Sequence, residues 1–303
     1  EHTHFQLPTS KSATLNRING KHGASKIFGK LSSNGKLFII NPAGVLFGRT
    51  AKVDVAGLMA TTANIRNSDF MDSRYQFQQS SEYPNASVIN YGHIRIKDKG
   101  LAALVAPGVE NYGVIEAKLG KVALASGNSF TLDLYGDDLI HFTVEGETKQ
   151  DPSMTHSVSN NGRIIADGGS VQLTAETASN VVKSVKQVGG TIFLGSSDGS
   201  ANVAGTLQAL GDDSGEKGGK IKVLADNVDI TSKATIDASG HSGGGEVLVG
   251  GNYQGQGAEH NAKTTTVGPQ ALIAANANHQ GDGGRVIVWA DDTTTFDGTI
   301  NAK

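Results

Sequence analysis

The side chains of this chain that could do acid–base or metal chemistry are a few acidic pairs and scattered imidazoles. Asp137-Asp138, Asp212-Asp213, Asp282 and Asp291-Asp292 are carboxylates of the kind that a β-helical polysaccharide lyase or hydrolase clusters for Ca²⁺ binding or acid/base work, beside a Lys or Arg. All of them lie in glycine-rich or turn-like stretches, where Asp is an ordinary turn residue. The nine His are His2, His4, His22, His93, His141, His156, His241, His260 and His279. None forms a close ligand pair on a helix, so exposed corners are expected, with a His2/His4 metal site as the minor reading. Gly281-Asp282-Gly283-Gly284 has the look of a Ca²⁺-binding nonapeptide but lacks its tandem repeat. The glycine runs at 243–245 and 249–251 precede no Lys-Ser/Thr and open no helix, so they are not phosphate loops. Trp289 has odd parity relative to Val286, which suits either an exposed ligand contact or packing under a loop. With no Cys, thiol catalysis, thiolate metal sites and disulfides are excluded. Lack of Cys also suits a chain that threads unfolded through an oxidising compartment. The sequence thus predicts no catalytic residue, no metal and no cofactor.

What kind of elements carry these residues? The 303 residues include 40 Gly but only 6 Pro, with 37% hydrophobic and 6% aromatic residues. Aromatics are too few for a conventional large core, and Gly is well above its usual ~7%. Short Val, Ile, Leu and Ala runs between Gly or Asn turns suit many short strands. The net charge is −3 and the charges are scattered, with no basic stripe for phosphates, so nucleic acid is excluded as a partner. No apolar run approaches the ~18 residues of a membrane-spanning helix.

Internal repeats decide the fold class. Asn90-Tyr91-Gly92 recurs as Asn111-Tyr112-Gly113, and Asn160-Asn161-Gly162 keeps the skeleton. Each copy precedes a Gly-containing turn and another apolar strand. In the later half, strands ending near Gly211, Gly240 and Asn276 lead into glycine turns and new strands at 220–223, 246–249 and 285–288. Alternation such as Lys220-Ile221-Lys222-Val223 points one side chain inward and the next outward. One such coil cannot bury its inner face. Stacking coils at ~4.8 Å buries a continuous apolar column and pairs their backbones. Asn at repeated corners can form amide ladders. The fold expected is all-β: a right-handed parallel β-helix with extra-helical hairpins or loops, preferred over a β-sandwich. Two stretches break the repeat. Residues 68–85 read as a loop or hairpin off the helix side. Residues 130–157 read as an extra-helical hairpin followed by a polar linker.

Residues 31–62 carry the most specific pattern: Asn34-Gly35, Asn41-Pro42-Ala43-Gly44-Val45 and Phe47-Gly48, then Ala51, Val53-Asp54-Val55, Gly57-Leu58 and Ala60-Thr61-Thr62. A secondary pattern, Asn16-Arg17-Ile18-Asn19-Gly20, precedes it. Together they resemble the N-terminal secretion domain of two-partner-secreted exoproteins of the filamentous-haemagglutinin type. One departure is Ala43, where that family usually has a second Asn. Pro presets φ and Gly supplies positive φ, so residues 41–44 form a strong turn between strands bearing Phe38, Ile40, Val45 and Phe47. These residues are expected to stabilise the fold first, with direct transporter contact as the other reading. The likeness continues through residues 101–127, and residues 281–290 resemble a shaft segment of large adhesins from the same group.

The resemblance implies a secretion and scaffold module of a large surface exoprotein, adhesin-like and not an enzyme. It would be exported from a Gram-negative bacterium to the cell surface or medium. Its partner would be a cognate outer-membrane β-barrel transporter, and a host glycan or protein receptor could follow. Residues 1–180 would form the secretion domain, short of its first rungs and cap. Residues 181–303 would continue the shaft, with more rungs to follow. The alternatives are a glycan-active or glycan-binding β-helix, and a filament subunit that self-associates through its coil ends.

Overall fold

A computed structural model describes residues 1–79, 83, 86–97, 99–117, 120–127, 129–132, 158–167, 170–175, 191–194, 199–257 and 259–303. The backbone winds as a three-faced parallel β-helix. One face is a ten-stranded sheet running from His2–Phe5 to Thr299–Asn301. A second has nine strands, from Ser25–Ile27 to Thr293–Phe296. The third has six strands from Ala13–Arg17 to Ser170–Ala175, then four from Thr191–Leu194 to Arg285–Val288. Within each of these sheets, strand order follows chain order and every pairing is parallel. The β-helix expected from the repeats is therefore the fold observed.

Strand parity builds the core. On the ten-stranded face, Val53 pairs with Ile94, Ile94 with Ile115, Ile115 with Ile164, and Ile164 with Leu207; Ile236 and Ile273 continue the column. All are 0–2% exposed. Burying each such side chain contributes ~1.5–3 kcal/mol, and stacking lets every coil serve as lid for its neighbour.

The early strands of the third face break this alternation. Lys36–Ile40 buries Leu37 and Ile39 inside the coil, but also Phe38 and Ile40 outside it. Gly57–Thr61, Leu101–Ala106 and Lys121–Ser126 are likewise buried on both parities. Near-continuous apolarity marks a strand covered on both faces. The cover is a separate three-stranded antiparallel sheet in which Tyr75–Gln79 lies between Ala63–Ile65 and Ser129–Leu132. Phe77 stacks on Phe130 at 4.7 Å, and Phe38 stacks on Tyr75 at 5.2 Å with Phe70 edge-on to both.

Residues 68–85, expected as a loop or hairpin off the helix side, are described through 79 and at 83. They begin within a short helix, Asn67–Met71, and continue into a strand that pairs antiparallel with the preceding strand Ala63–Ile65, as in a hairpin, and on its other side with Ser129–Leu132. The apolar face of that strand belongs to a second core, which the three strands of the cover close from outside the coil. The hairpin expected at 130–157 begins with a strand of the same sheet; residues 133–157 lie outside the described residues.

Candidate functional site

The two sequence motifs meet in the first coils. Asn16 pairs with Ile39 and Arg17 with Ile40, so the strand carrying the secondary motif lies directly beneath the strand leading to the turn. The Asn41 side chain is fully buried. Its Nδ2 donates to the Gly23 carbonyl at 3.0 Å and the Ser25 hydroxyl at 2.9 Å. Its Oδ1 accepts from the Ala43 amide at 2.9 Å, and its carbonyl accepts from the Gly44 amide at 2.9 Å. Its own amide donates to Thr61 at 3.1 Å. One residue thus ties its coil to the coil below and the coil above. Because residue 43 contributes its backbone N–H to this node, Ala43 serves the turn without an Asn side chain. Gly44 has φ +112°, and a Cβ there would sit 2.8 Å from the Ser87 carbonyl.

Asn34 acts as a strand surrogate. Its Oδ1 accepts from the Leu7 amide and its Nδ2 donates to the Leu7 carbonyl, both at 2.7 Å. The neighbouring Gly35 leaves room for that approach, since a Cβ would lie 2.6 Å from the Ser12 carbonyl. Gly48 lies beneath the Phe28 ring, and Val45 and Phe47 are buried in the interior column. In the secondary motif, Ile18 packs on the core and its amide donates to the Ile40 carbonyl at 2.8 Å. Asn19 accepts from the Lys21 amide, and buried Gly20 faces the Tyr83 ring and the Ala43 amide. Pro42 is partly exposed beside Ala43 and Asn16 is exposed.

Arg17 has a role that sequence reasoning missed. Its guanidinium donates to Asn64 Oδ1 at 2.9 Å, Asn67 Oδ1 at 2.9 Å and the Ile65 carbonyl at 2.6 Å. The partners are about 50 residues away, and only the unusual double-sided apolarity of residues 36–40 signalled that a covering element existed.

The acidic pairs do not converge. Asp212, Asp213, Asp282, Asp291 and Asp292 are all exposed, while Asp137 and Asp138 lie outside the described residues. Among the described residues, no group of three or more His, Asp or Glu could hold a metal ion. His2 and His4 share the Ser32 hydroxyl at 2.8 Å each. His141 and His156 lie outside the described residues. His260 departs from the exposed-corner expectation, with Nε2 2.6 Å from Asp226, whose side chain is 4% exposed and also bonds Lys263. Next to it, Lys222 and Glu259 make an ion pair at 2.9 Å under the loop of residues 250–262. Burial would raise the Glu259 carboxyl, but the Lys222 hydrogen bond and charge, with the Asn252 amide, hold it below the ordinary value. Trp289 packs against Gly251 and Gly255 of that loop and donates Nε1–H to Asp291 at 2.9 Å, which is the packed reading of its odd parity. At the corner between the nine- and ten-stranded faces, the Tyr91 and Tyr112 rings stack at 4.8 Å with the Arg49 guanidinium over Tyr91. Burial, and the charge of Glu110, push the Tyr112 hydroxyl upward.

Known proteins share this arrangement. The family model described as the TPS (two-partner secretion) secretion domain matches residues 1–191. A heme/hemopexin-binding protein of Haemophilus influenzae is 33% identical over 177 residues, covering 57% of this chain and 19% of that protein. A second Haemophilus influenzae protein of the same description is 37% identical over 78 residues, covering 26% of this chain and 8% of the relative. The crystal structure of the HMW1 secretion domain from Haemophilus influenzae superposes with a TM-score of 0.78 at 31% identity, covering 100% of this chain and 80% of that one. The chain therefore spans less than a fifth of the length of these two curated relatives.

Proposed function

This chain belongs to the TPS secretion domain family, and from that premise we propose how its coils perform export. Exoproteins of this family are secreted across the outer membrane of Gram-negative bacteria to the cell surface or medium, and the family implies an outer-membrane transporter as partner. In our reading, the unfolded N-terminal segment docks on the cognate β-barrel transporter by adding a strand to an exposed sheet edge. It then emerges and folds coil by coil. The observation that carries this reading is the strictly sequential strand order of all three faces. Each coil needs only the one already outside as its template, so folding proceeds from N- to C-terminus with local contacts. Apolar burial outside then opposes back-sliding without ATP.

Within this reading, Asn34, Gly35, Asn41, Pro42, Ala43, Gly44, Val45, Phe47 and Gly48 act mainly by closing the second coil onto the first. Asn16, Arg17, Ile18, Asn19 and Gly20 complete the layer beneath. Residues 1–180 serve secretion and residues 181–303 continue as shaft. In this reading the chain serves as a scaffold, which the secretion-domain family it belongs to supports. The whole protein would present an adhesive or haem-binding region at the cell surface; heme/hemopexin binding is what its two curated relatives are named for. Host receptors and self-association through coil ends belong to that larger protein.

The test is secretion of residues 1–303 from cells with and without the cognate transporter, followed by pulse-chase. Transporter-dependent appearance in the medium is the expected result. Export that is indifferent to the transporter would refute the assignment. Binding of urea-unfolded wild-type and Asn41→Ala chains to the transporter's periplasmic part separates contact from folding. Equal binding with slower export is expected; lost binding would make Asn41 a contact residue.

A further inference from the structure

One column of the nine-stranded face changes character partway up. Its register positions are Ile27, Phe47, Asn90, Asn111, Asn160, Val203, Ile230, Val267 and Phe296. The described neighbours above and below are apolar, yet three consecutive coils place a fully buried Asn there. The amides are joined head to tail. Asn90 Nδ2 donates to Asn111 Oδ1 at 2.8 Å, Asn111 Nδ2 donates to Asn160 Oδ1 at 2.8 Å, and Asn160 Nδ2 donates to the Thr206 carbonyl at 3.2 Å. Since apolar residues fill the same column elsewhere, amides are not needed there for burial. A buried amide is tolerated only when bonded, and an unbonded one is costly.

One link of the ladder spans the longest interval between neighbouring positions of this column. Asn111 and Asn160 are 49 residues apart, with residues 133–157 between the strands Ser129–Leu132 and Val158–Asn160. The helix and strand of the second core come just before Asn90. By contrast Asn90 and Asn111 are separated by 21 residues. The period-2 pattern of a strand penalises a one-residue slip, because every apolar side chain changes face. A two-residue slip keeps the same faces, so the apolar columns discriminate against it only weakly. Such a slip between the second and third Asn coils would set Asn160 against Val109 and take the Asn160 acceptor from the buried Asn111 amide, leaving it only the longer contact with the Gly113 carbonyl at 3.4 Å.

We propose that Asn90, Asn111 and Asn160 form a register key, which selects the correct docking of successive coils, above all across the 49 residues between Asn111 and Asn160. The key costs nothing when coils align and penalises the two-residue alternative. It directs which strand pairs with which and adds little to the stability of the finished fold. The donor direction suits an N-to-C order of arrival: Asn90 and then Asn111 each present a buried N–H that only the following coil satisfies. The inference concerns the chain's own folding and does not rest on transporter recognition.

The chain has no Cys, so register can be read by cross-linking in the full chain. Val114 pairs with Arg163, and both side chains lie outside the interior column. The pair Val114→Cys/Arg163→Cys reports the native register; Val114→Cys/Ile165→Cys reports the two-residue slip. Each pair is placed in the natural background and in an Asn90→Val/Asn111→Val/Asn160→Val background, refolded from urea without transporter, and oxidised. With the Asn ladder, only the native pair should link. In the Val background, native linking should fall to roughly half and the shifted pair should appear, while the refolded fraction keeps its thermal midpoint. Native-only linking in the Val background would overturn the proposal. Failure of that background to refold would overturn it too, because the ladder would then be a stability element. An Asn111→Ser chain, which breaks the central link while keeping a small polar group, gives the same readout with a smaller perturbation. It should show intermediate slip.

Discussion

The Arg17 guanidinium donates to the main-chain carbonyl of Ile65 at 2.6 Å, bridging 48 residues of sequence. This bond and the two to Asn64 and Asn67 fasten the first coil to the sheet that covers the third face. The planar fork of Arg matches three acceptors, whereas the ammonium of Lys is a point donor. Arg17→Ala should therefore destabilise the domain by about 1–2 kcal/mol, and Arg17→Lys by nearly as much, despite retained charge. Urea unfolding checks this, and equality of the Lys variant with wild type would show that only the charge matters.

Asn41 makes its contacts through both ends of a buried amide, so the cost of its loss depends on which end is removed. Asn41→Ala leaves the Ala43 amide without its side-chain acceptor and removes the lateral bonds to Gly23 and Ser25, at a cost of about 2–3 kcal/mol. Asn41→Asp keeps the acceptor but buries an anion facing the Gly23 carbonyl, and should be at least as harmful. Ala43→Asn changes a partly exposed position that contributes only its backbone, and should stay within about 0.5 kcal/mol of the natural chain. Thermal midpoints of the three variants decide the order.

Much of this architecture was legible because a solenoid writes its physics repeatedly. The Asn-Tyr-Gly repeats gave away the coil and the corner, and Asn at those corners allowed the amide ladder that Asn90, Asn111 and Asn160 form. The turn at Asn41 was readable from Pro42 and Gly44. What escaped was non-local. Nothing in residues 75–79 states that Tyr75 and Phe77 pack over Phe38 and Phe130. That partnership depends on antiparallel pairing with strands on either side in sequence. Phe38 and Ile40 offered the one available hint, being apolar where a solvent-facing parity was due. Likewise Lys222 reads as an outward charge in an alternating strand, and only the fold of residues 250–262 buries it.

The covering sheet should behave as a separate stabilising layer over an intact helix core. Phe77 is 1% exposed and sits between strands of that sheet, not inside the coil. Phe77→Ala should cost about 3–5 kcal/mol of local stability through lost burial and a cavity. The loss should increase protease cleavage in residues 63–79 before cleavage in residues 220–303. Ile94→Ala, in the inner column, should instead loosen adjacent coils on all faces. Limited proteolysis with mass mapping distinguishes the two, and identical fragment patterns would refute the two-layer view.

The ion pair under residues 250–262 gives the shaft an acid-sensitive strap. Glu259 is held below its ordinary carboxyl value when folded, so its contribution to stability is complete above the unfolded value of about 4.3 and is lost as pH falls through the folded one. Amide exchange in residues 250–262 should therefore accelerate relative to residues 220–223 as pH drops from about 6 to about 3. Lys222→Met leaves a buried carboxylate unpaired and should cost about 3 kcal/mol, with protection at neutral pH already reduced. The double variant Lys222→Met/Glu259→Leu removes both charges and should regain most of that loss while flattening the acid response. An unchanged acid profile in the double variant would refute the assignment of the sensitivity to this ion pair.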